Sequence, residues 1–241
     1  MKVECPHLSH FPHLKHAFFE GTSDATQMIE RMKQFPLPLI TLNQVHGTNV
    51  LQVTESWLKD NAPIYDEASW TSSLNKESKV KADGLVTNVK GVALGIFTAD
   101  CGPVLFYDPS SHIIGACHAG WRGARAGIIQ ETLAVMESLG AKRSQMYATL
   151  GPTIQQHAYE VGPEFPDLIG GTYASYFYTS EKSGYHYFNL PLYIQDILKK
   201  EGISQVYDLK LNTFSGQFAS RRRQIQLGQN FIDNLSVIAM N

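Results

Sequence analysis

Two short apolar runs in mid-chain, Val92–Thr98 and Ile113–Cys117, end on reactive groups where a core strand needs none. The first leads into Thr98-Ala99-Asp100-Cys101. The second ends in Cys117-His118 and passes into Ala119-Gly120-Trp121-Arg122-Gly123. Runs this short, apolar and rich in β-formers read as buried strands. A thiol and an imidazole therefore stand at the ends of two strands, followed by glycines that let a ligand approach the backbone. That is the layout of a site.

The flanking sequence sets the fold class. Residues 40–51 alternate around Gly47 and read as two short strands with His46 at the bend. Residues 55–80 are polar and mixed and read as an excursion, and Lys81-Ala82-Asp83-Gly84 reads as a turn before a strand at Leu85–Thr87. Apolar residues 128, 129, 133, 136 and 139 carry helical spacing, which predicts one helix over 124–139 closed by Gly140. Strands are expected at 146–150 and 236–240, and a helix opened by Asn189-Leu190-Pro191 runs through Lys200. The strands outnumber what one parallel sheet would hold, so a mixed α/β (α+β) sandwich is expected, with no interdomain linker in view.

With 241 residues, 43% of them hydrophobic and 17% charged, the chain can bury a sizeable core. A net charge of -2 leaves no basic footprint for nucleic acid. No apolar run approaches the ~20 residues of a membrane span, so no membrane partner is expected. The first sixteen residues hold prolines and four histidines where a signal peptide has its apolar segment. A cytoplasmic location is therefore expected, with the three cysteines reduced and available as ligands or nucleophiles.

Cys101 and His118 form the central pair, either as metal ligands or as a thiol nucleophile with an imidazole partner. His46, before the permissive Gly47, is a candidate third ligand. Cys117 adjoins His118 and must face the other side of its strand, which assigns it to the core. His7, His10, His13 and His16 recur every three residues, a period matching neither helix nor strand, and Pro6 and Pro12 exclude a continuous helix, so no metal tract is expected. Arg122, Arg125 and the run Arg221-Arg222-Arg223 are candidates for gripping an anion. Arg122 is the better placed, near a helix start between two glycines. Glu160 and Asp100 are candidate acid/base or supporting carboxylates.

Taken together, five segments resemble the YfiH/laccase-domain family, whose members are described as multicopper polyphenol oxidases, purine nucleoside phosphorylases or a peptidoglycan editing factor. They are LNQVHGTNV (42–50), KADGLVTN (81–88), GVALGIFTADCGPVLFYDP (91–109), GACHAGWRGARAGI (115–128) and GPTIQQHAYEVG (151–162), with FASRRR (218–223) as a weaker match. The resemblance implies one layered α-β-β-α domain with mixed sheets over 1–241 and a zinc site held by His46, Cys101 and His118. It implies phosphorolysis of adenosine, inosine, guanosine and methylthioadenosine, and deamination of adenosine. Cys101, His118 and His46, with Glu160 and Asp100, are then the candidate catalytic residues. Arg122, Arg221, Arg222 and Asn43 are the candidates for phosphate and substrate. Copper is the less favoured metal, because one Cys and two His cannot hold the several coppers of oxygen reduction.

The expected partners are small molecules, a nucleoside and phosphate. The C-terminal third departs from the family pattern: Asn212-Thr213 replaces Cys-Thr, Ala219-Ser220 replaces Ser-Tyr before the arginines, and Gly228-Gln229 replaces Gly-Arg. Near the N-terminus, Gly21-Thr22-Ser23 replaces an Arg and Gly-Gly turn. Three alternatives stay open: a cysteine hydrolase or amidase editing cell-wall precursors, a copper polyphenol oxidase, and a metal- or partner-binding protein without catalysis.

Overall fold

Alternation along two paired strands, β7 (Gly102–Asp108) and β8 (Ile113–Ala119), sets the layers. Val104 and Phe106 face one core while Leu105 and Tyr107 face another, and Cys117 and Ala116 divide in the same way. The computed structural model describes residues 1–35, 38–61, 79–170 and 174–241.

Two mixed sheets stack face to face. The first holds β1 (Lys2–Val3), β2 (Leu14–Phe19), β3 (Leu39–Ile40), β6 (Ala93–Thr98) and β14 (Asn234–Met240) in the order β1-β2-β14-β6-β3. The second combines β7 and β8 with β4 (Val50–Gln52), β5 (Gly84–Thr87), β9 (Tyr147–Leu150) and β13 (Gln205–Asp208), ordered β13-β9-β7-β8-β5-β4. Both are mixed, since β3–β6, β4–β5 and β13–β9 are parallel and the other pairs antiparallel.

Between the sheets lies a core that includes Phe18, Leu94, Ile96 and Ile238 from one and Leu85, Leu105, Ile114 and Ala116 from the other. On the far side of the second sheet, α4 (Ile128–Ser138) buries Ile128, Ile129, Leu133 and Met136, and α6 (Leu190–Lys200) buries Leu190, Ile194 and Leu198. Each such side chain contributes roughly 1.5–3 kcal/mol on burial. On the far side of the first sheet, Met28 and Met32 of α1 (Ala25–Met32) cover Phe19, Leu235 and Val237. The order of layers is thus α-β-β-α, as expected.

The predicted helix over 124–139 is two helices. Gly127 takes φ +109° and separates α3 (Trp121–Ala126) from α4. Only a residue without a side chain sits there readily, and the break turns α3 aside to carry Trp121 and Arg122. Of the polar stretch 55–80, Glu55–Asp60 form α2, capped by the Thr54 side chain; residues 62–78 lie outside the described residues. A small sheet of β10 (Glu160–Val161), β12 (His186–Phe188) and β11 (Phe177–Thr179) and the short α5 (Phe165–Ile169) complete the helix side. Among the described residues, no helix is long and apolar enough to cross a membrane.

Candidate metal centre and cavity

The β7–β8 register brings the first two reactive groups together. Gly102 pairs with Ala119, which sets Cys101 opposite Gly120, while His118 pairs with Pro103 inside β8. The approach is close: a Cβ on Gly120 would stand 2.7 Å from the Cys101 Sγ. His46 arrives from the loop between β3 and β4 with φ +59°, in the left-handed region that non-glycine residues enter at a cost. Its ring centroid lies 4.6 Å from that of His118. One ligand atom from each of His46, Cys101 and His118 lies within 4.8 Å of the others, so the three can hold a metal ion. No other such group occurs among the described residues.

Asp83, just before β5, is wholly buried and holds both histidines. Its Oδ1 accepts from the His46 backbone N–H at 3.0 Å and pairs with His118 Nδ1 at 2.8 Å, and its Oδ2 accepts from the N–H of Val45 at 3.1 Å and of Gly47 at 2.7 Å. Burial opposes its charge, but the contacts with His118, Gly47 and Val45 prevail and hold the carboxyl below the usual range. Burial likewise opposes ionisation of Cys101, yet His118 and His46 bring its thiol down to about 6. His118 is pushed up to about 9, its burial outweighed by the Cys101 charge and by Asp83. Cys101 and His118 thus favour a thiolate–imidazolium pair. Cys117 lies on the opposite face of β8, where burial pushes its thiol up to about 12, as its assignment to the core requires.

The centre opens into a cavity of about 940 Å³. Arg122, Arg221, Arg222 and Asp100 line it, as do Trp121, Tyr159, Phe97 and Phe231. Arg122 is exposed, stacks over Trp121 at 4.6 Å and makes no hydrogen bond or ion pair among the described residues. Arg221 is committed to Asp233 at 3.0 Å and lies 3.8 Å over the Phe231 ring. Arg222 donates a guanidinium N–H to the Glu160 carbonyl at 2.8 Å. Arg223 is a clamp, donating to the carbonyls of Thr213, Phe214, Gly216 and Phe218. Ser220, where the sequence leaves the family pattern, caps α7 (Arg221–Leu227) by accepting from the Arg223 N–H.

Three expected roles meet a different geometry. Asp100 faces the cavity, but Thr213 and the backbone of Arg222 engage both its carboxylate oxygens. The Glu160 carboxylate pairs with Ser180 and lies outside the cavity lining. Asn43 also lies outside the lining and forms a parallel bridge with Lys81. Its neighbour Gln44 lines the cavity, with its amide spent on the backbone of Phe97. In the tyrosine-rich stretch 173–187, Tyr176 and Phe177 pack on the helix-side core, and Tyr173 lies outside the described residues. Of the N-terminal histidines, His7 stacks on Tyr207 and His16 is buried.

Sequence reasoning missed Asp83 and Tyr159. Asp83 read as part of a turn, since its partners stand 35 or more residues away. Tyr159 was overshadowed by Glu160; burial and then the Cys101 charge raise its phenol, so it stays protonated as a donor facing the cavity.

A layered α-β-β-α protein with a His-Cys-His group beneath an arginine-lined cavity is the class that fold and geometry define. A family described as multi-copper polyphenol oxidoreductase laccase matches residues 22–239, and the chain belongs to it. A purine nucleoside phosphorylase of Rickettsia conorii is 29% identical over 226 residues, 89% of this chain and 85% of that protein. One from Pseudomonas aeruginosa is 32% identical over 193 residues, 78% of this chain and 70% of that protein. The crystal structure of the hypothetical protein YfiH of Bacillus licheniformis shares the fold, with a TM-score of 0.76 over 95% of this chain and 93% of that one at 24% identity.

Proposed function

We propose that this protein is a zinc-dependent purine nucleoside phosphorylase, acting on adenosine, inosine, guanosine and methylthioadenosine, that also deaminates adenosine. The observation that carries the reading is the meeting of the His46–Cys101–His118 group with the unpaired Arg122 in one cavity of nucleoside-accepting size. The names of the Rickettsia and Pseudomonas relatives support the phosphorylase reading. One sulfur and two imidazole nitrogens fit zinc, and a three-ligand set leaves a position open. The lowered Cys101 thiol favours the thiolate that such a metal takes. Zinc held there supplies Lewis acidity.

The chain's own groups divide the remaining work. Arg122 and Arg222 hold phosphate, since guanidinium forks match its oxygens. Arg221, paired with Asp233, contributes less. Trp121, Tyr159 and Phe97 offer aromatic faces for the purine, and the protonated Tyr159 phenol can donate to the substrate. Asp100 acts through Arg222, holding the start of α7 against the cavity. Metal analysis, with release of hypoxanthine from inosine and phosphate, tests the reading. About one zinc per chain and phosphate-dependent turnover, both lost in Cys101→Ala, is the expected result. Turnover in a metal-free Cys101→Ala protein would overturn it.

A second reading has one observation in its favour, the thiol of Cys101 at about 6 beside His118. That pair suits a cysteine hydrolase acting on amides. Activity that survives chelation and dies with iodoacetamide selects it. Copper polyphenol oxidation is the weakest, because the described residues hold one ligand group and oxygen reduction needs several coppers.

A further inference from the structure

We infer that Asp83 is the positioning residue of the centre, a buried carboxylate that fixes the His118 ring and the His46 backbone so that the two histidines can bind a metal ion; this rests on the metal reading above. Its two oxygens meet four donors, the N–H groups of Val45, His46 and Gly47 and the ring Nδ1 of His118, at 2.7–3.1 Å. Three of the four donors are backbone N–H groups and the fourth is the His118 ring, so no Lys or Arg shares the carboxylate. Both oxygens are spent, and Asp83 therefore acts through other groups.

The consequences differ for the two histidines. At His118, the carboxylate holds a proton on Nδ1, so Nε2 is the nitrogen that would give up its proton and offer its lone pair to a metal. The Asp83 carbonyl also accepts from the His118 backbone N–H at 2.8 Å, so ring and main chain are fixed from one residue. At His46, three successive N–H groups converge on the carboxylate, and this nest holds the residue at φ +59°. Cys101 receives nothing from Asp83 and is placed by the β7–β8 register instead. One carboxylate thus gathers two ligands that lie 37 residues before it and 35 after it.

Asp83→Asn keeps the shape and inverts one edge. Its NH2 must face either the Val45 and Gly47 N–H groups or the His46 N–H and His118 Nδ1. In the second case His118 can take the other tautomer, with its proton on Nε2 where the metal would bind. The zinc affinity of wild type and Asp83→Asn is measured by competition with a chromophoric chelator, and histidine tautomers by 15N-edited NMR of the zinc-loaded proteins. The expected result is a dissociation constant raised about 10- to 100-fold, with His118 protonated on Nδ1 in the wild type.

A purely structural role would lower the melting temperature of Asp83→Asn and leave the zinc affinity of the folded protein unchanged, which overturns the inference. Should the variant not fold, the wild-type spectrum decides: a proton on Nε2 of His118 in the zinc-loaded protein overturns it, and one on Nδ1 supports it. A folded wild type that takes up no zinc removes the metal reading itself. Equal affinity in wild type and variant removes only the role of Asp83.

Discussion

Asp100 and Arg222, 122 residues apart, are joined by a hydrogen bond of 2.8 Å from the Arg222 backbone N–H to Asp100 Oδ2. The other oxygen accepts from the Thr213 hydroxyl at 2.6 Å, and Asp100 itself sits at φ +85°. The loop that ends at Cys101 therefore also anchors the start of the helix bearing Arg221 and Arg222. Metal ligand and anion grip thus stand on neighbouring residues, and the Asp100 side chain bonds on the side of the grip, to Thr213 and Arg222.

Asp100→Ala is expected to remove two hydrogen bonds to a charged acceptor, each worth roughly 1.5–3 kcal/mol. The melting temperature falls, and KM for phosphate rises more than kcat drops, because Arg222 loses its anchor while the metal ligands stay. Thermal unfolding and steady-state kinetics at varied phosphate check this. A kcat loss above 1,000-fold at unchanged phosphate KM, on the order expected for an essential acid, would restore Asp100 as the proton donor.

Gly120→Ala tests how tightly the centre is built. The backbone at Gly120, φ -73° and ψ 166°, suits alanine, so only the side chain matters. Its Cβ would stand 2.7 Å from the Cys101 Sγ, inside van der Waals contact. The thiol must shift by several tenths of an ångström, and zinc affinity is expected to fall at least about tenfold with little change in secondary structure. Isothermal titration with zinc and far-ultraviolet circular dichroism read the two effects separately.

How much of this was legible in the sequence depends on how far apart the cooperating residues lie. Cys101, His118 and Gly120 were legible because each stands at a strand end and one hairpin register joins them. The α4 stripe was legible as well, since Ile128, Ile129, Leu133 and Met136 repeat at helical spacing. That same stripe concealed the break at Gly127, where the periodicity continues but the backbone dihedral changes sign. Asp83 was hidden because nothing local marks a buried carboxylate whose donors come from two distant segments. Arg223 cannot be told from Arg221 and Arg222 by type or spacing; its four carbonyl partners exist only in the folded loop.

Arg122→Ala and Arg221→Ala should separate accordingly. Arg122 has no hydrogen-bonding partner among the described residues and is free to meet an anion. Losing one charge-assisted hydrogen bond to phosphate corresponds to about a tenfold or greater rise in KM for phosphate. Arg221 is occupied by Asp233 and Phe231, so its loss should change phosphate KM less than about threefold. A larger effect from Arg221 than from Arg122 would relocate the anion site to α7.

Stability should depend on pH through His16, far from the centre. The ring is 3% exposed, and its Nε2 accepts from the Cys5 N–H at 2.7 Å, which it can do only while unprotonated. Burial, partly offset by Glu4, lowers its pKa from 6.5 to about 4. Above pH 6.5 the ring is neutral in folded and unfolded chains alike, and it costs nothing. As pH falls from 6.5 toward 4, the unfolded chain binds a proton that the folded chain refuses, and stability is lost by up to about 3 kcal/mol. Urea unfolding at pH 7, 5.5 and 4.5 should show this decline, and His16→Asn, which keeps an acceptor but cannot titrate, should flatten it at a lower overall stability. An equally steep decline in the variant would assign the acid sensitivity to other groups.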